Sequence, residues 1–222
     1  MSEILLIRHG QASFGTADYD RLSPLGHEQA GALGAALARH GLVPDALFIG
    51  TQRRHRETLE GLAPALGLDP ARAENLPGLD EFDTDGLMAA HFAKTGAPEG
   101  LNRDRRAHFR ALRDSVQAWQ RDAIADPPER WSDFEARVRA ALERLAGCGA
   151  GRVLAVSSGG PIARIVTEVL EAPAAQMIRL QLQTRNCAVT RLVVGRSGLY
   201  LLGFNELPHV TAVGDDRLVT YS

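Results

Sequence analysis

The sequence predicts an α/β fold, a three-layer αβα sandwich with a mainly parallel central sheet, helices on both faces and a helical insertion at about residues 87–129. Three observations carry this. Apolar runs at 4–7, 46–49 and 153–156 have the length and composition of fully buried strands. Each run ends in small or polar residues and leads toward a helical pattern, which is the repeating unit of a parallel sheet with right-handed crossovers. From Leu87 to Glu129 the composition turns polar and helix-forming, punctuated at Gly96 to Gly100 and at Pro127-Pro128. The length of 222 residues suits one domain carrying that insertion, so residues 1–222 are expected to form a single unit.

Taken in order, Ile4-Leu5-Leu6-Ile7 runs straight into Arg8-His9-Gly10-Gln11. Such a strand delivers a cation and an imidazole to its carboxyl end, the edge where open α/β sheets bind ligands. Arg8 offers a planar fork of donors suited to phosphate oxygens, and a neutral His9 can act as nucleophile, base or metal ligand. Gly10 allows another group to approach the backbone closely. A polar loop from Ala12 to Arg21 follows, in which Ser13, Phe14 and Gly15, with Gln11 before them, are candidate substrate contacts. Ser23-Pro24 reads as an N-cap and first helical residue, and Leu25, Ala30, Leu33 and Leu37 keep a helical stripe until His40-Gly41 closes it. After Ala46-Leu47-Phe48-Ile49 comes Gly50-Thr51, with Thr51 expected to cap the helix that carries Arg53, Arg54, His55, Arg56 and Thr58.

Leu76 to Gly86 is a short extended piece crowded with Asp80, Glu81, Asp83 and Asp85. These acids have no His or Cys companion and no EF-hand spacing, which argues against a metal site. Within the insertion, Phe109, Leu112, Val116 and Trp119 fall on one helical face, with Arg103, Arg105, Arg106, Arg110 and Arg113 around the rest. Ser132 is expected to cap a helix lined by Phe134, Val138, Leu142 and Leu145. The third strand runs into Ser157-Ser158-Gly159-Gly160-Pro161 and a helix over 162–170, so backbone N–H groups and the helix dipole make an anion site. The Gly and Lys spacing of a P-loop is absent. Segments 178–183, 188–194 and 199–204 alternate or run apolar, and the turn from Gly195 to Gly198 predicts a closing hairpin.

Composition narrows the partners. A net charge of −2 gives no global reason to expect nucleic acid or an anionic membrane. No apolar run approaches a membrane span, and the amino terminus lacks the pattern of a signal peptide, so a cytoplasmic location is expected. Cys148 and Cys187 are read as reduced thiols, not as a disulfide or zinc site. Lys94 is the only lysine among 25 basic residues, so an Arg cluster alone is weak evidence of a phosphate site.

Arg8 and His9, Arg54, and Ser158-Gly159-Gly160 stand at the ends of three strands, and together they describe a phosphate pocket. Here the chain resembles the histidine phosphatase superfamily, the phosphoglycerate mutase-like proteins, over nearly its whole length. The matching pieces are Leu6-Ile7-Arg8-His9-Gly10-Gln11, Leu22-Ser23-Pro24-Leu25-Gly26 with Gln29-Ala30, Arg54 with Thr58, Leu79 with Glu81, Val156 to Gly160, and Phe204-Asn205 to His209. The resemblance implies that His9 is a nucleophile forming phosphohistidine, that Arg8 and Arg54 clamp the phosphoryl oxygens, and that Glu81 protonates the leaving group. It implies no metal and no cofactor. Asp80, Asp83 and Asp85 are rivals to Glu81, and all four acids remain open to a reading as solvated loop carboxylates.

One departure matters. The resemblance implies a second histidine where Ser158 stands, and a hydroxyl donates without carrying charge. An imidazole returned at position 158 is expected to speed phosphorylation of His9 unless another residue already fills that space. His209 or His55 could compensate from elsewhere in the chain, but nothing in the sequence places either ring in the pocket, and the reading of both as surface or core histidines is favoured. The function expected is a phosphomonoesterase acting on a small phosphorylated metabolite; a phosphate-binding or regulatory protein and a phosphoglycerate mutase are the alternatives. No nucleic-acid or membrane partner is expected, and a homodimer is left open.

Overall fold

The computed structural model describes residues 2–13, 20–101 and 104–221. Phe14 and Gly15 of the candidate substrate loop, and Arg103, lie outside the described residues. Strand β1 (Ser2–Arg8) lies beside β4 (Arg152–Ser157), and β2 (Ala46–Ile49) pairs with β4 on its other side. With the short β3 (Glu74–Asn75), β5 (Val189–Val194) and β6 (Leu199–Glu206), the order is β3-β2-β4-β1-β5-β6. The first four of these positions are mutually parallel, whereas β5 runs antiparallel between β1 and β6. The parallel register sets Arg8 beside Ser157 at one carboxyl edge. The fold is thus an α/β sandwich with a mostly parallel sheet.

Alternation along β1 divides the core in two. Leu5 and Ile7 face α1 (Pro24–Arg39) and α2 (Arg53–Leu66), packing with Leu33, Leu37, Leu59 and Leu62. Ile4 and Leu6 face the opposite layer, built from α3 (Thr84–Phe92), α4 (Arg105–Trp119), α5 (Trp131–Ala146), α6 (Gly159–Val169) and α7 (Met177–Gln181). A final helix, α8 (Pro208–Val213), packs on α1. Helix α4 does more than cover the sheet. Its Leu112, Val116 and Trp119 are buried, and Trp119 joins Phe82, Trp131 and Phe134 in an aromatic cluster with ring centroids 5.0–5.6 Å apart. The indole N–H is satisfied by the Glu129 carbonyl at 2.6 Å, as a buried Trp requires.

Ser23 caps α1 by accepting from the Gly26 N–H at 3.0 Å, as expected, and β5 and β6 form the expected hairpin. Three expectations fail. Thr51 does not cap α2, whose N-cap is Gln52; the Asp80 carboxylate accepts from the Thr51 N–H at 2.6 Å and from the Thr51 hydroxyl. The Thr51 hydroxyl is drawn to a carboxylate distant in sequence, and no side chain caps α2 from its N-cap position. Ser132 lies inside α5, which starts one residue earlier. Residues 178–183 are not a strand: 177–181 form α7, because a short apolar run has no period long enough to separate helix from strand.

Helices α1 and α2 approach closely at Gly34. A β-carbon there would sit 2.4 Å from the Leu62 carbonyl oxygen. In an open helix Gly→Ala stabilises by roughly 0.5–1 kcal/mol. At this contact the sign reverses, and Gly34→Ala is expected to destabilise by about 1–3 kcal/mol through overpacking. Denaturant unfolding measures this; a stabilised mutant would mean that the two helices do not touch here.

Candidate active site

The carboxyl edge of β1 and β4 gathers the side chains that the sequence singled out. His9 follows β1 directly, with its N–H bonded to the Ser157 carbonyl and its own carbonyl accepting from the Asn186 amide at 3.1 Å. The ring is buried, and Nδ1 lies 2.8 Å from the Gly10 carbonyl oxygen. A carbonyl only accepts, so Nδ1 carries the proton and Nε2 is left with its lone pair. Burial lowers the His9 pKa well below the ordinary value, and the Arg54 and Arg8 charges push it the same way. His9 is a neutral imidazole with a basic nitrogen to spare.

Arg8 is buried and donates to the Thr184 carbonyl. Arg54, also buried, donates to Asp20 at 2.7 Å and to the Gln52 side-chain Oε1 at 2.8 Å. Helix α2 presents it one turn before Thr58, whose hydroxyl accepts from the Gly10 N–H at 3.0 Å and so ties α2 to the His9 segment. Gly159 opens α6 against Arg8: a β-carbon there would lie 3.6 Å from the Arg8 Nε.

Among the four acids the structure separates roles. Burial alone would raise the Asp80 pKa, but the His55 ring 3.6 Å away and the hydrogen bonds from the Thr51 N–H and hydroxyl hold it below its ordinary value. Asp83 caps α3 by accepting from the Gly86 N–H at 2.9 Å, and Asp85 sits in that helix's first turn. Glu81 differs. Its Oε2 accepts from the Gly160 N–H at 3.0 Å, its Oε1 is buried without a hydrogen-bond partner among the described residues, and burial raises its pKa against the pull of Arg54 and Arg8. A buried carboxyl whose pKa is raised above the ordinary carboxylate value is tuned in the direction a proton donor needs.

Gln11 and Ser13 are bound elsewhere. The Gln11 N–H donates to Gln29 and its side-chain oxygen accepts from Ser23, while the Ser13 hydroxyl donates to the Leu22 carbonyl. These bonds pin the base of the 12–21 loop to the start of α1. From that loop the sequence reading missed Asp20, the partner of Arg54. It also missed Gln52, whose side-chain oxygen accepts from Arg54 and from the Glu81 N–H at 3.1 Å and lies 3.4 Å from the Ser158 Oγ. His55, considered as a compensating imidazole but favoured as a surface or core histidine, stands at the site. Its Nε2 lies 2.8 Å from the Ser158 Oγ, and its ring centroid is 5.8 Å from that of His9, so an imidazole already fills the space beside Ser158. His209 is a buried core histidine whose pKa burial pushes down to about 4.

Residues 4–207 match the family described as Histidine phosphatase superfamily (branch 1). The chain belongs to that superfamily. It is 28% identical over 200 residues to a 2,3-bisphosphoglycerate-dependent phosphoglycerate mutase of Chelativorans sp. (strain BNC1), covering 85% of this chain and 91% of the relative. A second such mutase, of Rhizobium rhizogenes (strain K84 / ATCC BAA-868), is 30% identical over 179 residues, with coverage of 76% and 79%. In fold the chain is similar to a mutant phosphoserine phosphatase of Entamoeba histolytica in complex with phosphoserine, with a TM-score of 0.65 at 17% identity over 95% of this chain and 100% of that one. It is also similar to a mycobacterial glucosyl-3-phosphoglycerate phosphatase in complex with inorganic phosphate, with a TM-score of 0.64 at 22% identity over 95% and 100% of the two chains.

The buried histidines make the site's electrostatics visible in stability. His9, His55 and His209 all have native pKa values below 6.5. Their contribution is complete above the unfolded value and is lost as pH falls toward each native value, because only the unfolded chain then takes the proton. Each adds a slope of about 1.4 kcal/mol per pH unit in that window, while Glu81, raised, contributes the opposite slope above its ordinary pKa. The melting temperature of the ligand-free protein is therefore expected to fall between about pH 7.5 and about pH 5.5, and His209→Leu is expected to flatten the fall. A profile that stays level in wild type would contradict the buried neutral imidazoles.

Proposed function

We propose that this protein is a phosphomonoesterase that hydrolyses a small phosphorylated metabolite through a phosphohistidine at His9. The observation that carries the reading is the His9 ring: neutral, with Nδ1–H held by Gly10 and Nε2 left basic, beside two buried arginines and a carboxyl whose pKa is raised. In the proposed reaction Arg8 and Arg54 bind the phosphoryl oxygens and offset their charge. The Nε2 lone pair forms the N–P bond as the ester O–P bond breaks, and Glu81 gives its proton to the leaving oxygen. Water then attacks phosphorus, the Glu81 carboxylate takes a proton from that water, and the N–P electron pair returns to Nε2 as phosphate leaves. Arg54 must release or share Asp20 for this, since both the carboxylate and the phosphate compete for the same fork of donors.

The phosphatases of similar fold support hydrolysis as the reaction class. A mutase is the second reading, favoured by the names of the relatives matched in sequence. It differs in outcome, since a mutase isomerises a phosphoglycerate without releasing phosphate.

The test is rapid-quench labelling of His9 with two phosphodonors of unlike leaving group. Wild type is expected to trap acid-labile label on His9, and His9→Ala none. Glu81→Gln is expected to slow turnover of an alkyl phosphate by about 10²- to 10⁴-fold while changing p-nitrophenyl phosphate far less, because a nitrophenolate departs without a proton. Unlabelled His9 in wild type would overturn the reading, and equal losses with both donors would remove Glu81 from the acid's role.

A further inference from the structure

Behind Ser158 lies a connected set of polar groups that the reaction just described does not use. Ser158, at the N-cap of α6, meets His55 Nε2 at 2.8 Å. On the far side of the ring, Nδ1 faces the Asp80 Oδ1 at 3.6 Å. His55 and Ser158 are completely buried. Asp80 is fixed in turn by the Thr51 N–H and hydroxyl. The backbone makes room for the junction: a β-carbon at Gly50 would lie 2.2 Å from His55 Nδ1 and 2.4 Å from Asp80 Oδ1, so any other residue would pry the ring and carboxylate apart.

Chemistry fixes the resting protons. An ionised carboxylate only accepts, so Nδ1–H points to Asp80, and Nε2, at 2.8 Å a nearer acceptor than the Gln52 oxygen at 3.4 Å, takes the Ser158 hydroxyl proton. In that arrangement the Ser158 proton is turned away from any incoming oxyanion. A phosphoryl dianion beside His9 reverses the preference, since negative charge nearby favours an imidazolium.

We propose that Asp80, His55 and Ser158 form a proton-holding relay, in which entry of a phosphoryl anion places a proton from solvent on His55 Nε2, that N–H donates to Ser158 Oγ, and the Ser158 hydroxyl proton turns to a phosphoryl oxygen. Asp80 keeps Nδ1 protonated throughout, and no other bond changes. Ser158 is the group that touches the substrate; His55 and Asp80 act through it. The charged donor thus stands one side chain further back than a histidine at position 158 would put it. The groups that bias His55 come from several sides: burial and Arg54 on its own helix oppose its charged form, Asp80 and Asp20 favour it, and His9 across the pocket is neutral. Near neutral pH this balance holds His55 uncharged, and the ligand's charge throws the switch. The relay rests on the phosphate-site reading above, but its binding behaviour does not require turnover.

Two measurements separate the two. Calorimetry with inorganic phosphate, in buffers of different ionisation enthalpy, is expected to show more proton uptake by wild type than by His55→Gln, a difference that cancels phosphate's own titration. Gln keeps a side-chain N–H donor to Ser158 but carries no charge. Single-turnover phosphorylation from p-nitrophenyl phosphate is expected to fall by about 10²-fold in His55→Gln and in Ser158→Ala, the size of one lost oxyanion donor. The double variant should fall no further, because the groups act in series. Melting curves establish that each variant is folded, and Ser158→Ala, which removes only a hydroxyl, stands in if the ring cannot be replaced. Label on His9 with rate and proton uptake unchanged in both variants would overturn the relay and leave the phosphatase standing. Proton uptake that depends on His55 without label on His9 would keep the relay and remove the phosphatase. Acid-stable label on Ser158 would overturn both.

Discussion

The structure depends on burying two guanidinium groups and an imidazole at one edge of a hydrophobic sheet. Arg8 is tied to a backbone carbonyl, and Arg54 to a partly exposed Asp20 and to the neutral amide of Gln52. Burial also holds the Glu81 carboxyl toward the protonated form. Two buried guanidiniums at one edge make a field that favours a phosphoryl dianion. Burial and that same field keep His9 neutral, because a proton on its ring would face both arginines. Nucleophile, clamp and acid are in this sense one electrostatic arrangement.

That arrangement needs a rigid frame, and much of the frame is polar. The Gln52 side-chain oxygen joins Arg54, Glu81 and Ser158, while Asp80 joins the start of α2 to His55. Several of these contacts join segments far apart in sequence, and those that are partly buried are costlier to break than surface equivalents. Beneath them the cluster of Phe82, Trp119, Trp131 and Phe134 anchors the Leu79 to Asp83 segment, which carries both Asp80 and Glu81. Helix α4 thus bears on the site through packing, two residues removed from the chemistry.

The sheet and the residues at its strand ends were legible from the sequence because buried parallel strands are written as short continuous apolar runs, and Arg8, His9 and Ser158 follow them directly. Arg54 and Glu81 came with the family's motif. What remained hidden depends on contacts between distant segments. His55 stands next to Arg54, and by its own sequence position it reads as one more polar residue on a helix; only the packing of α2 against β4 brings its ring to Ser158. Gln52 and Asp20 carry no motif at all. Thr51 looked like a cap because local chemistry permits it, and a carboxylate 29 residues away engages it instead. Segment 177–181 was misread because five residues cannot display a period.

The central claim is that His9 waits as a neutral imidazole with Nδ1 protonated and Nε2 bare. Nitrogen-15 NMR of the histidine rings, with His9 assigned by its absence from the His9→Ala spectrum, measures this directly. The account requires one His9 nitrogen with the shift and proton coupling of an N–H, the other with the shift of an unprotonated ring nitrogen, and no change as pH is lowered from about 7.5 through the ordinary histidine pKa of about 6.5. A ring that titrates at that ordinary value, or one that carries its proton on Nε2, would contradict it.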